Sequence, residues 1–213
     1  MSGLAPWRSH LAHALHAHRH QPESRYLQLA TVNVHHRPTN RTVVFRGFWQ
    51  ETNWLKFITD TRSQKFAHIQ HQPWAEACWY FPKTREQFRI AGKLHIIVAP
   101  DLTSSQSPDQ LTDIAHERLI ASRVQQWREL SVAARLQFAW PTPRSLRESD
   151  KVTEQALFHP SAPDAQNPPD NFCVFLLIPD QVDYLRLRGE PQNRYLYSWL
   201  PEQESWQIQE VNP

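Results

Sequence analysis

The sequence predicts a mainly β protein with α, an antiparallel, Greek-key-like barrel with flanking helices, rather than a doubly wound parallel sheet. Apolar runs with strand-like alternation recur before residue 99 and after residue 170, and their connecting turns are too short for parallel crossovers. Helical periodicity is confined to the N-terminus and one central excursion. Nine tryptophans and ten phenylalanines stand beside 17 prolines and only 4 glycines, a composition suited to an aromatic, strand-rich core with stiff connections. At 213 residues the chain can bury one good core, so a single domain over 1–213 is expected.

The elements follow in order. Residues 6–18 begin with a proline and set Trp7, Leu11, Ala14, Leu15 and His18 at helical spacing, so residues 1–20 hold an amphipathic helix. Arg25–Val34 reads as a strand, and the turn-rich stretch from His35 to Asn40 separates it from the next. Thr42–Phe48 is expected to pair with Asn53–Thr59 as a hairpin. Ser63 is placed to cap a short helix, Gln64–Gln70, that stops before Pro73. Ala75–Phe81 and Gln87–Val98 form a second hairpin. The polar stretch Ala99–Gln110 reads as a loop, with helices at about 111–129 and 132–138. Prolines 141, 143, 160, 163, 168 and 169 make residues 141–169 either a mobile loop or an extended strap. Four closing strands are expected within 170–213, at Phe172–Ile178, Gln181–Arg188, Arg194–Leu200 and Ser205–Val211.

Composition also excludes functions. Lys and Arg number 23 against 21 Asp and Glu, a net charge of +2, so no global field draws nucleic acid or an anionic membrane. The longest apolar run, Phe172–Ile178, is far short of the ~18 residues of a membrane span. With no apolar secretory signal visible, the chain is expected to be soluble and cytoplasmic. Cys78 and Cys173 lie in separate apolar runs and read as buried thiols. No glycine-rich dinucleotide or P-loop motif exists.

The residues that suggest chemistry lie in three segments: Arg41–Gly47, Phe57–Lys65 and Arg85–Lys93. They place cations and hydroxyls at the ends of apolar strands, as a flat aromatic cofactor bearing a phosphate requires. By alternation Thr42, Val44 and Arg46 share one face, and Arg41, Val43 and Phe45 the other. Arg41 and Arg46 therefore reach one ligand only if Arg41 acts from the strand end or a bulge intervenes. Helix-start N–H groups, the Ser63 hydroxyl, Arg62 and Lys65 could hold a phosphate dianion. The competing account is a capped helix whose charges pair with Asp60. Gln87, an amide in an apolar strand, can read the edge of a heterocycle or face solvent.

Taken in this order and spacing, the three segments resemble the pyridoxamine 5′-phosphate oxidase superfamily, and the run from Val182 to Tyr197 with Trp206–Pro213 resembles its closing segment. The likeness covers about residues 24–99 and 170–213. It implies an FMN-binding split β-barrel, a homodimer with FMN at the interface, and an oxidoreductase acting on a small molecule. It further implies that Arg41 and Lys65 bind the FMN phosphate with Ser63 and Arg62. Val43, Val44 and Arg46 would line the isoalloxazine beside Ile58 and Thr59, and Gln87 would bond its edge. Arg194, with Tyr184 beside it, would approach from the partner subunit, and Ser131 would join the partner's pocket.

The departures bear on the substrate. Arg46 stands where the oxidase has lysine, Gln64 where it has arginine and Tyr184 where it has tryptophan. Its substrate-clamping Arg-x-His falls on Glu190-Pro191-Gln192. A carboxylate and an amide cannot replace cations beside a phosphorylated pyridine, so the expected substrate is unidentified. The alternatives are a non-catalytic flavin- or haem-binding module, with His95 or the N-terminal histidines as haem ligands, and a true pyridoxamine or pyridoxine 5′-phosphate oxidase with a rearranged clamp. The histidines at 10, 13, 16, 18 and 20 read as a solvated helix face rather than a metal site.

Overall fold

A computed structural model describes residues 3–100, 113–147 and 157–213. The loop expected at 99–110, the start of the helix expected from 111, and 148–156 of the proline-rich segment lie wholly or largely outside these residues. The chain forms two compact units, one from Met1–Phe57, His68–His95 and Leu176–Pro213, the other from Ile58–Ala67 and Ile96–Phe175.

The first unit opens with α1 (Trp7–Ala17), whose apolar stripe buries Trp7, Leu11 and Ala14. His18 follows as a core histidine. Its Nδ1 lies 2.7 Å from the Ala14 carbonyl oxygen and its Nε2 accepts from the Lys83 N–H at 2.9 Å, which makes Nδ1 the protonated nitrogen. Strands β1 (Tyr26–Val32), β2 (Pro38–Val44), β4 (Trp74–Phe81) and β5 (Glu86–Ile97) lie in one antiparallel sheet with β6 (Phe172–Arg186), β7 (Asn193–Leu200) and β8 (Ser205–Val211), in the order β2-β1-β4-β5-β6-β7-β8. A further strand, β3 (Leu55–Asp60), pairs with β6.

Alternation sends Leu27, Leu29, Val43, Trp79, Phe81, Phe88 and Ile90 inward, each at most 7% exposed. Their rings meet edge to face or tilted, with Phe45 5.0 Å from Trp79 and Trp79 5.2 Å from Phe81.

Two strand expectations are corrected. The strand expected at Thr42–Phe48 begins at Pro38 and ends at Val44, and its partner along its whole length is β1, in a register from Tyr26 opposite Val44 to Val32 opposite Pro38. The expected hairpin with Asn53–Thr59 is kept at its turn end, in a bridge from Phe48 to Leu55 and backbone bonds that join Arg46 and Gly47 to Lys56 and Trp49 to Trp54. Pro38 fits because β2 is an edge strand, where a missing N–H breaks no ladder.

The closing segment has three strands where four were expected, because β6 runs unbroken through Pro179. Its pairing with β7 starts at Gln181, so the proline precedes that ladder. Just there the β6 backbone crosses β5 at Gly92. A Cβ on Gly92 would lie 2.0 Å from the Ile178 carbonyl oxygen and 2.9 Å from the Pro179 Cα.

The second unit packs α3 (Asp113–Arg128) and the short α4 (Val132–Leu136) with the start of β6. Phe172 sits between Trp127 at 5.0 Å and Phe138 at 5.1 Å. Arg123 donates to the carbonyls of Phe172 and Pro169, and the Trp127 indole to that of Asp164. Residues 164–169 are thus tied by their carbonyls to α3. Cys173 is buried here, and burial pushes its thiol up to about 12, which makes it inert.

Gly92→Ala should cost more than about 2 kcal/mol, since backbone rather than a flexible side chain blocks the new methyl. Chemical denaturation measures it, and a midpoint equal to wild type would contradict the crossing.

Candidate functional site

In the first unit the expected residues divide between the two faces of the sheet. Arg41 lies opposite Leu29, so it shares the inner face with Val43. Its guanidinium donates to the Leu29 carbonyl at 3.0 Å and to the hydroxyls of Thr31 and Thr39, each at 2.8 Å. The Nδ1 of His68, from α2 (Gln64–His71), lies 3.2 Å from both hydroxyls. Partial burial lowers the Arg41 pKa; burial and then the Arg41 charge lower that of His68. Thr31, Thr39 and His68 were not singled out from the sequence, although Thr31 and Thr39 face each other in the β1–β2 register.

The outer face carries Val44 of β2, Gln87 of β5 and Arg194 of β7, and Arg46 follows two residues past the end of β2. Arg46 is half-buried and its Nε is buried without a hydrogen-bond partner among the described residues. Its pKa is lowered by burial and then by the neighbouring Arg25. Among the described residues nothing hydrogen-bonds the Gln87 amide. Arg194 donates twice to Asp183, at 2.9 and 2.6 Å, and Asp183 also meets Arg89, which is paired with Glu76. That carboxylate bond raises the Arg194 pKa.

Tyr184, expected with Arg194 at the flavin, is paired with Tyr195, and the residue opposite Arg194 is its neighbour Leu185. Tyr184 lies on the inner face, 2% exposed, stacked between Phe88 at 4.7 Å and His10 at 4.8 Å. Burial, and a bond to Glu86, raise its hydroxyl pKa. Leu185, half-exposed, is the side chain that shares the face of Arg194.

The remaining expected residues lie in the second unit. Thr59 and Ser63 are buried with their hydroxyl oxygens 3.2 Å apart. Ser63 donates to the Asp60 carbonyl at 2.7 Å and accepts from the Lys65 ammonium at 3.2 Å. The hydroxyl expected to cap the helix is therefore turned toward Lys65 and the Asp60 carbonyl. Ile58 is half-buried.

The Arg62 guanidinium is held by both Asp60 oxygens and donates to the carbonyls of Phe138 and Trp140. Burial alone would raise the Asp60 pKa, but the bonds from Arg62 and Asn171 outweigh it and hold the carboxyl low. The Gln64 amide oxygen accepts from Arg144, which brings a guanidinium to the start of α2 from eighty residues away. Ser131 caps α4, accepting from the Ala134 N–H at 3.2 Å.

Residues 4–98 match a family model described as the pyridoxamine 5′-phosphate oxidase, FMN-binding domain. The chain is 36% identical over 213 residues to pyridoxine/pyridoxamine 5′-phosphate oxidase 2 of Arabidopsis thaliana, covering 99% of this chain and 98% of that one. Among solved structures it is similar to a pyridoxamine 5′-phosphate oxidase-related, FMN binding protein from Nostoc punctiforme PCC 73102, with a TM-score of 0.87, 52% identity, and 99% and 100% of the two chains covered. PhzG from Burkholderia lata 383 matches with a TM-score of 0.72 at 16% identity over 100% and 94% of the chains, a likeness of fold alone. No helix among the described residues is long and apolar enough to cross a membrane.

His68 should titrate below the ordinary 6.5 in the folded chain, and Arg41→Ala should move it part of the way back, since burial is the larger cause. With the folded value depressed, acidification below 6.5 protonates the unfolded chain first, so this contribution to stability is lost as pH falls. Histidine NMR titration checks both; a His68 value unmoved by Arg41→Ala would contradict the cluster.

Proposed function

The chain belongs to the pyridoxamine 5′-phosphate oxidase family of FMN-binding proteins, and on that premise we propose that it is an FMN-dependent oxidoreductase, working as a homodimer on a small substrate. The observation that carries this reading is the outer face. Arg46 there has a buried donor with no acceptor and Gln87 an amide with no bond, and an electron-rich heterocycle edge satisfies both. The residues therefore fit the cofactor's ring.

Arg41 and Lys65 would hold the phosphate, helped by Ser63. Arg144 is the better candidate for the further cation, since Arg62 is engaged by Asp60. Arg41 faces inward from the edge strand β2 and Arg46 follows that strand's end, so a ligand touching both would pass around the edge there. Exposed Tyr26 and Tyr80, on the outer face with Val44 and Gln87, would be covered by a second copy. In such a dimer Arg194 would approach the flavin of the other chain, with Leu185 beside it.

When bound, FMN supplies the redox chemistry, accepting electrons from the substrate and passing them on. The chain's part is to anchor the phosphate, orient the ring and keep positive charge at Arg46 and Arg194 where negative charge develops, an electrostatic role.

Glu190 and Gln192, which replace the expected cations, line a cavity of about 550 Å³. An anionic group directly on Glu190 would be repelled, which favours a substrate other than pyridoxamine phosphate. A second reading has its own support: Arg85 and Arg188 line the same cavity and could form a rearranged clamp. Turnover of pyridoxamine phosphate by the FMN-loaded protein, lowered in kcat/KM by Arg188→Ala, would favour the second reading. No turnover would favour the first.

Arg41→Ala and Lys65→Ala should each weaken FMN binding roughly 10- to 100-fold, the effect of losing a charge-assisted phosphate bond, without unfolding the chain. Flavin fluorescence titration measures it, and wild-type affinity in both variants would contradict the phosphate assignment.

A further inference from the structure

A second cavity, of about 240 Å³, lies between α1 and the inner side of β6. Its floor is built from buried polar groups. Glu86 is 5% exposed; its Oε1 accepts the Tyr184 hydroxyl at 2.5 Å, while its Oε2 is buried with no hydrogen-bond partner among the described residues. The Thr84 hydroxyl beside it is buried and unpartnered as well. Tyr184 is clamped between Phe88 and His10, so the carboxylate that it grips is fixed in place. Such a pair of orphaned atoms is costly, and a hydrogen-bond donor in the cavity relieves the cost.

The rim has the opposite character. Arg186 and Arg188 line it and are exposed, with His10 and His13 across from them on α1. With the imidazoles neutral, the lining carries two positive charges and one negative. A matching ligand needs a cationic donor for the floor, an anionic group for the rim and a net charge near −1. A carboxylate zwitterion has no net charge and leaves one guanidinium unmatched. A phosphate monoester bearing one ammonium has the required balance, because the ester carries about −2 above its second pKa, and guanidinium forks suit phosphate oxygens. The cavity equals about eight water volumes, enough for a ligand of about that many heavy atoms. Among the described residues no cluster of three or more His, Cys, Asp or Glu could hold a metal ion there instead.

We propose that this cavity binds a small phosphate monoester carrying a primary ammonium, with the ammonium on Glu86 and Thr84 and the phosphate on Arg186 and on Arg188, which also lines the larger cavity.

O-phosphoethanolamine, which has both groups at about the right size, is the probe. Calorimetric titration into the FMN-loaded full chain should give saturable binding at least tenfold tighter than inorganic phosphate or ethylamine gives alone. Glu86→Gln keeps an acceptor for Tyr184 but removes the charge, and should weaken binding at least tenfold. Thr84→Ala, which deletes a hydroxyl that bonds nothing, and Arg186→Ala, at an exposed position, should each weaken it severalfold; they carry the test if Glu86→Gln fails to fold. No saturable binding, affinity no better than that of inorganic phosphate, or binding unchanged in the variants that fold would overturn the proposal.

Discussion

At Ile178 and Gly92 two backbones approach so closely that no side chain fits between them, and this approach fixes β5 against β6 inside the first unit. Beside it β6 continues through Pro179 as one 15-residue strand. The first part of that strand carries Phe172 and Cys173 into the aromatic packing of the second unit; the later part carries Asp183, Tyr184 and Leu185 into the sheet of the first. A bend at Pro179 would free the later residues from this register. Side-chain parity along β6 then decides everything beyond it, because a one-residue slip exchanges the two faces.

The two faces of that sheet do different work. Inward, Tyr184 joins a stack from His10 through Phe88 and ties down the buried Glu86. Outward, the carboxylates of Glu76 and Asp183 alternate with Arg89 and Arg194, a network half open to solvent whose worth lies in orientation more than in stability. Arg46 is the exception, a half-buried cation whose pKa falls because no carboxylate offsets the burial and the neighbouring Arg25 repels it. A cation held in that condition is poised for an anionic or electron-rich partner from outside the chain.

Much of this was legible from local pattern. The β4–β5 hairpin and α1 follow from alternation and helical spacing, which are properties of adjacent residues. The Asp60–Arg62 pair, two residues apart, was one of the two accounts that local pattern left open. What pattern could not supply was register and distance. The resemblance put Tyr184 with Arg194, whereas the residue opposite Arg194 in the β6–β7 ladder is Leu185. Pro179 looked like a strand end because the change of partner that tolerates it is a tertiary fact. Arg144 reaches Gln64, and His68 reaches Thr31 and Thr39, across separations where sequence proximity carries no signal.

The central claim is that the flavin ring lies against the outer face beside Arg46, and the reduction potential of bound FMN tests it most directly. Replacing Arg46 with glutamine removes the positive charge that favours the reduced ring. The potential should fall by about 30 mV or more, roughly a tenfold change for a two-electron couple. A potential equal to that of the wild-type protein, with FMN still bound, would contradict the placement.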